Sequence, residues 1–336
     1  MLSLAQKKIT PESISNLLNF NYQNVMQEFY EMQSGFLSTR YKIHNSLETS
    51  NILICFIINV HLAIIRQREI DLDCGVSLDC FFKNLKQIEI PTQKIVSIVN
   101  TTGIPKETVR RKIRKLIQRE YLFKKDKEYY WNLTSKREAT FIKVMKADIS
   151  MIAKFVFNFT KHFDSNLTKI KIEEEINKEF SFYFYHFLNC QVSWLKMWQT
   201  KIKDVDLIFI AMQALIPTLK YEDTIKKSSD FNLDNIHSYI GKASKNYNIN
   251  IKENSISASS ISEVSGIPRA TCIRKLDKLV KLGLLVREIK TKRYYVNQYT
   301  NERTKHITRK ENVDETIQIF TKLLAIVINA ITRKSQ

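Results

Sequence analysis

Glycine and proline are scarce in this chain of 336 residues, at 6 and 5. Six glycines offer little material for a glycine-rich phosphate cradle, and neither G-x-x-x-x-G-K-[ST] nor G-x-G-x-x-G occurs. The sequence therefore argues against P-loop and dinucleotide-binding enzymes. The five cysteines are Cys55, Cys74, Cys80, Cys190 and Cys272, with no C-x-x-C among them. His44, His61, His162, His186, His237 and His306 lie apart from them, so no zinc spacing emerges. Reduced, mostly buried thiols in a cytosolic protein are expected, with a Cys74–Cys80 redox pair as the alternative. The first ten residues, MLSLAQKKIT, lack the long apolar core and small-residue cleavage site of a secretory signal. The most apolar run, Asn51 to Ile65, is shorter than the ~20 residues of a membrane span and contains Asn59 and His61. A buried helix is expected there, and no membrane partner. No Ser/His/Asp or Cys/His arrangement has local support, so neither an enzyme nor a cofactor is expected.

What the chain does contain is 44% hydrophobic and 26% charged residues, the balance of a folded protein. Abundant Ile, Leu, Phe, Lys and Glu with little Gly and Pro favour long helices. Lys and Arg number 53 against 34 Asp and Glu, a formal charge of +19. Such a surplus calls for an anionic partner, nucleic acid first. AT-rich codon usage would also enrich lysine, but it would spread the charge evenly.

The charge is not even, because the chain repeats itself. Gly103 to Leu116 reads GIPKETVRRKIRKL and Gly266 to Leu279 reads GIPRATCIRKLDKL, identical at eight of 14 positions without a gap. Ile98 aligns with Ile261, and Tyr121-Leu122-Phe123 with Leu284-Leu285-Val286. Tyr129-Tyr130 meets Tyr294-Tyr295 after a two-residue insertion. Upstream a weaker correspondence aligns the apolar run at Ile52 with that at Leu207. Residues 106–127 carry a net +7 and residues 269–293 another +7, so 47 residues hold +14 of the +19. Clustering of that kind favours a binding surface over codon bias.

Within the second copy, Ser257 to Ser265 is expected to form a short helix that Gly266 breaks. Pro268 suits the first turn of the next helix, where a missing N–H costs nothing. Cys272, Leu276, Leu279 and Val280 form one helical stripe, and Gly283 ends the helix. Leu284–Glu288 and Arg293–Gln298 read as two strands around a turn at Lys290-Thr291-Lys292. In the first copy Val109, Ile113 and Leu116 form the equivalent stripe.

Helix, glycine turn, helix and hairpin in this order resemble the winged helix-turn-helix of bacterial transcriptional regulators of the MarR-like and GntR-like families. The matching pattern is G-[IV]-[SP]-x-x-T-[VC]-x-R-x-[IL]-x-x-L, then G-[LY]-[LI] and a wing, over about 40 residues in each copy. Two departures stand out. Glu120 occupies the place of Gly283, where a positive φ disfavours any other residue, so the first wing is expected to start differently. Ala270 and Ile273 replace Glu107 and Arg110, so the two reading faces are not equivalent.

The resemblance implies that the second helix of each copy enters the major groove. Lys106, Glu107, Thr108, Arg110, Arg111 and Arg114 are then the DNA-facing residues of the first copy. Arg269, Ala270, Thr271, Ile273, Arg274 and Lys275 are those of the second. Arginine can bond guanine O6 and N7 together, and glutamate can accept from cytosine N4. Thr108 and Thr271 either contact DNA or cap their helices. Hairpin-tip residues Lys124, Lys125 and Lys127, with Lys290, Lys292 and Arg293, would lie along phosphates.

The expected fold is mainly α, with two winged helix-turn-helix domains as an internal duplication and flanking long helices. Residues 1–140 hold the first motif (92–134), residues 141–300 the second (256–299), and residues 301–336 a C-terminal helix. The aromatic run Phe180–Phe187, with Trp194 and Trp198, reads as core or an interdomain seam, the alternative being a pocket for an unknown small-molecule effector. Ile317 to Ile331 forms an amphipathic stripe suited to packing or homodimerisation. The resulting expectation is a cytoplasmic, nucleoid-associated transcriptional regulator that binds double-stranded DNA at two non-identical half-sites. A plasmid-type replication initiator binding origin repeats and a protein–protein adaptor using winged helices as docking modules are the alternatives.

Overall fold

The computed structural model describes residues 9–68, 75–163, 167–225, 255–297, 307 and 310–334. The chain is mainly helical, with two antiparallel two-stranded sheets. Helices α1 (Pro11–His44) and α2 (Leu47–Arg68) lead into the short α3 (Phe81–Gln87). Then come α4 (Ile95–Thr102), α5 (Lys106–Gln118) and the hairpin β1 (Leu122–Lys125) and β2 (Glu128–Trp131). Helices α6 (Ser135–Thr160), α7 (Lys169–Lys178), α8 (Phe180–Ile202) and α9 (Val205–Ile225) follow. The second hairpin region is α10 (Ala258–Ser265), α11 (Arg269–Leu282), β3 (Leu285–Arg287) and β4 (Tyr294–Val296). Helix α12 (Lys310–Lys334) closes the chain.

These elements form two compact units that interleave along the chain, whereas the sequence divides linearly at 140 and 300. One unit comprises residues 1–10, 48–200 and 319–336; the other comprises residues 11–47 and 201–318. Helix α1, which precedes the first motif, thus belongs to the unit with the second motif. Helix α8 up to Thr200, which precedes the second motif, belongs to the unit with the first.

In the first unit the aromatic run is core. Phe180, Tyr183, Phe184 and Phe187 are buried. Phe81 meets Phe180 edge-on at 5.4 Å and stacks on Phe141 at 5.3 Å. Burying each such ring contributes ~1.5–3 kcal/mol. His61, fully enclosed, lies within 5.2 Å of both Phe81 and Phe180. The C-terminal helix adds Phe320, whose ring meets Phe155, and the Ile319 carbonyl, which accepts from the Cys190 thiol.

In the second unit α1 and α9 pack together. Between them Ser34 and Gln213 are buried and hydrogen-bonded in both directions, at 3.1 and 2.9 Å. A buried polar pair that satisfies itself in this way avoids the ~1–3 kcal/mol cost of an unpaired group.

Among the described residues, two helical stretches are long and apolar enough to cross a membrane, Leu47–Gln67 and Glu311–Arg333. The first exceeds the apolar length expected from sequence, because residues 47–50 and 66–67 extend it beyond the Asn51–Ile65 run. Of these windows 67% and 56%, respectively, are buried within the protein, as core helices are. Cys80 is disulfide-bonded, which corrects the expectation that all thiols are reduced. Cys74 lies outside the described residues. Cys55, Cys190 and Cys272 are free and buried. Burial pushes the Cys55 and Cys190 thiols up to about 12, so both stay protonated at neutral pH.

Candidate functional site

The two repeated segments adopt the same local structure down to single hydrogen bonds. Each short helix ends at a glycine with positive φ, +69° at Gly103 and +75° at Gly266. Gly103 N–H donates to the Val99 carbonyl, and Gly266 N–H to the Ser262 carbonyl. One residue earlier, a buried hydroxyl serves the turn twice. Thr102 Oγ1 donates to the Ile98 carbonyl and accepts from Ile104 N–H; Ser265 Oγ donates to the Ile261 carbonyl and accepts from Ile267 N–H. Neither Thr102 nor Ser265 is identical in the repeat, yet both satisfy a donor at a buried break between helices.

The second helices start alike. Pro105 and Pro268 precede the first helical residue, and Val109 and Cys272 N–H donate to their carbonyls. Neither proline position supplies a side-chain cap. Val109, Ile113 and Leu116 are buried, as are Cys272, Leu276 and Leu279. Val280, expected in that stripe, is only half-buried.

The hairpins begin in the same way, contrary to expectation. Glu120 adopts φ +54°, where Gly283 has +80°. Tyr121 N–H then bonds the Leu116 carbonyl as Leu284 N–H bonds Leu279. Three bonds offset the cost of the left-handed Glu120. Its carbonyl accepts from Asn132 Nδ2 at 3.0 Å and from Arg137 Nη1 at 2.6 Å, while its N–H donates to the Ile117 carbonyl. Asn297, the counterpart of Asn132, likewise donates to the Gly283 carbonyl. A third extended segment meets each hairpin: Gln93 bridges Tyr129, and Ile256 bridges Tyr294.

This frame decides which of the expected site residues are presented. Lys106, Glu107, Arg111 and Arg114 are exposed, and Thr108 and Arg110 are half-exposed. Glu107 holds Arg110 Nη1 at 2.5 Å, one turn along α5. Lys124, Lys125 and Lys127 all stand exposed at the first hairpin tip. In the second copy Arg269, Ala270 and Arg274 are exposed and Thr271 and Ile273 half-buried. Lys290 and Lys292 are exposed at the tip, where Glu288 accepts from the Thr291 N–H.

Two of the expected DNA-facing residues are engaged within their own unit. Lys275 is engaged by the Asp204 carboxylate, at 2.7 and 2.9 Å, and its side chain is 13% exposed. Arg293 donates from Nε to Ser255 Oγ at 2.8 Å and from Nη2 to the Ser255 carbonyl, pinning the base of the hairpin rather than its tip. Both stay inside their own unit, Lys275 through an ion pair and Arg293 through neutral oxygen acceptors.

Sequence reading missed two lysines beside the turn glycines. The Lys42 stem, on α1, covers Gly266, and Lys196, on α8, lies with Thr200 beside Gly103. Both lysines are exposed. They come from distant helices, so no local pattern could have placed them there.

Comparison with protein-family models, with curated proteins and with solved structures returns no match.

Proposed function

We propose that the chain is a sequence-specific DNA-binding transcriptional regulator built on two winged helix-turn-helix units. Helices α5 and α11 are the reading helices, and the two hairpins are wings lying along the phosphates. One observation carries the reading: the same hydrogen-bonded frame occurs twice, each time turning basic residues of the second helix and hairpin outward. Arg110, Arg111 and Arg114 supply bidentate donors for guanine edges in the first unit. Lys124, Lys125 and Lys127, with Lys290 and Lys292, supply phosphate contacts, which set affinity rather than sequence. Two reading helices in one chain let a monomer address two unlike half-sites. Such a protein works in the cytoplasm at the nucleoid.

Fluorescence anisotropy on duplexes selected from a random pool tests the proposal. Arg111→Ala is expected to weaken binding by ~1–3 kcal/mol and relax the preference at one base pair. Unchanged affinity and preference in both Arg110→Ala and Arg111→Ala would remove its basis.

A further inference from the structure

The two proposed reading helices differ where they matter most. On α5, Glu107 and Arg110 form an exposed ion pair one turn apart. On α11 the corresponding positions are Ala270, exposed, and Ile273, half-buried. Arg114, exposed on α5, corresponds to Asp277, which accepts from the Tyr294 hydroxyl at 3.4 Å and lies 3.9 Å from Arg287. At two positions, Ala270 and Ile273, α11 thus presents apolar groups where α5 presents hydrogen-bonding ones.

An alanine and an isoleucine cannot bond a base edge through their side chains. The apolar group that the major groove offers is the thymine 5-methyl. The surroundings of this apolar step favour a nucleic acid over a protein partner. Arg269 and Arg274 flank it, and Lys290 and Lys292 stand at the hairpin tip of the same unit, all four exposed. Exposed lysines such as these two are depleted at protein–protein interfaces.

We infer that the second unit reads thymine methyl groups through Ala270 and Ile273, while the first reads guanine through its arginines. The target is then a composite site with one guanine-bearing and one thymine-bearing half. This inference rests on the DNA-binding reading above and narrows it.

The test uses the full chain on its selected duplex. Each dT is replaced singly by dU, which lacks only the 5-methyl group, and affinity is measured by anisotropy. One or two replacements, confined to one half-site, are expected to weaken binding about fourfold each, as losing one buried methyl does. Ile273→Ala is expected to bind the dT duplex as weakly as the unaltered chain binds the dU one, and to lose the distinction between them. The dU arm needs no protein variant, so a folding defect in Ile273→Ala leaves the test intact. Equal affinity for dT and dU at every position, with duplex binding preserved, overturns the inference alone. Undiminished dU sensitivity in a folded Ile273→Ala also overturns it. Failure to select any duplex overturns the DNA-binding reading and this inference with it.

Discussion

Lys275 is locked to Asp204, its ammonium 2.7 Å from one carboxylate oxygen and 2.9 Å from the other. Asp204 also caps α9, accepting from Leu207 N–H at 3.0 Å. The aligned lysine of the first copy, Lys112, lies 3.5 Å from Glu48 in the first turn of α2. One repeat position thus ties the second helix of each copy to an acid at the start of a long helix. The lysine at this position is a tether, and the adjacent Arg111 and Arg274 face outward.

That division separates two measurements. Lys275→Met should lower unfolding stability by ~1–2 kcal/mol, the worth of a partly buried charged hydrogen bond. It should leave the salt dependence of DNA binding unchanged. Lys124→Ala, by contrast, should leave the urea midpoint unchanged and reduce the salt slope by about 1. A slope change in Lys275→Met would return that residue to the interface.

Much of this arrangement was legible in the sequence, for a definite reason. Gly283 adopts the left-handed turn expected of it, Gly266 breaks its helix as expected, and the buried stripes Val109-Ile113-Leu116 and Cys272-Leu276-Leu279 follow the helical period. Local geometry leaves a local signature. What escaped the sequence depends on distant partners. Asp204 is 71 residues from Lys275, Ser255 is 38 from Arg293, and Lys42 reaches Gly266 from another part of the chain. No pattern within one segment could reveal that these basic side chains serve their own unit. Glu120 failed differently: the cost of a positive φ suggested another start, but the carbonyl bonds from Asn132 and Arg137 that hold it there were not foreseen.

Glu120 therefore stores strain that glycine would relieve. Its side chain is 74% exposed and its nearest cation, Arg137, is 4.0 Å away, so little is lost with it. Glu120→Gly should raise stability by ~1 kcal/mol, and Gly283→Ala should lower it by a similar amount. Urea denaturation of the two variants checks both signs. Destabilisation by Glu120→Gly would show that the carboxylate itself holds the turn.

His61 makes stability depend on pH. Enclosed by Phe81, Phe180 and Phe184, with no hydrogen-bond partner on either ring nitrogen among the described residues, it is kept neutral by burial, its pKa lowered to about 3. The unfolded chain takes up a proton near pH 6.5, and the folded chain does not. The stability that His61 allows is therefore fully present above about pH 6.5 and declines as pH falls from there toward 3, by up to ~1.4 kcal/mol per pH unit. Burial lowers His162 and His186 as well, with the same sign. His61→Phe should flatten the stability profile between pH 6 and 4 in chemical denaturation, and an unchanged profile would assign the acid sensitivity to other groups.

The two turn glycines look equivalent in sequence but differ in what surrounds them. A Cβ on Gly103 would meet Thr200 Cγ2 at 3.4 Å, an ordinary contact, whereas one on Gly266 would fall 2.6 Å from Lys42 Cγ. Both positions carry the ~1–2 kcal/mol penalty of a left-handed backbone. Only Gly266→Ala must also displace a lysine near its root, where the side chain has little freedom to swing away. Thermal unfolding should therefore place Gly266→Ala below Gly103→Ala. Lys42→Ala in the Gly266→Ala background should recover the difference while leaving the backbone penalty in place. Equal melting temperatures for the two glycine variants would mean that α1 yields at this point, and that Lys42 does not constrain the turn.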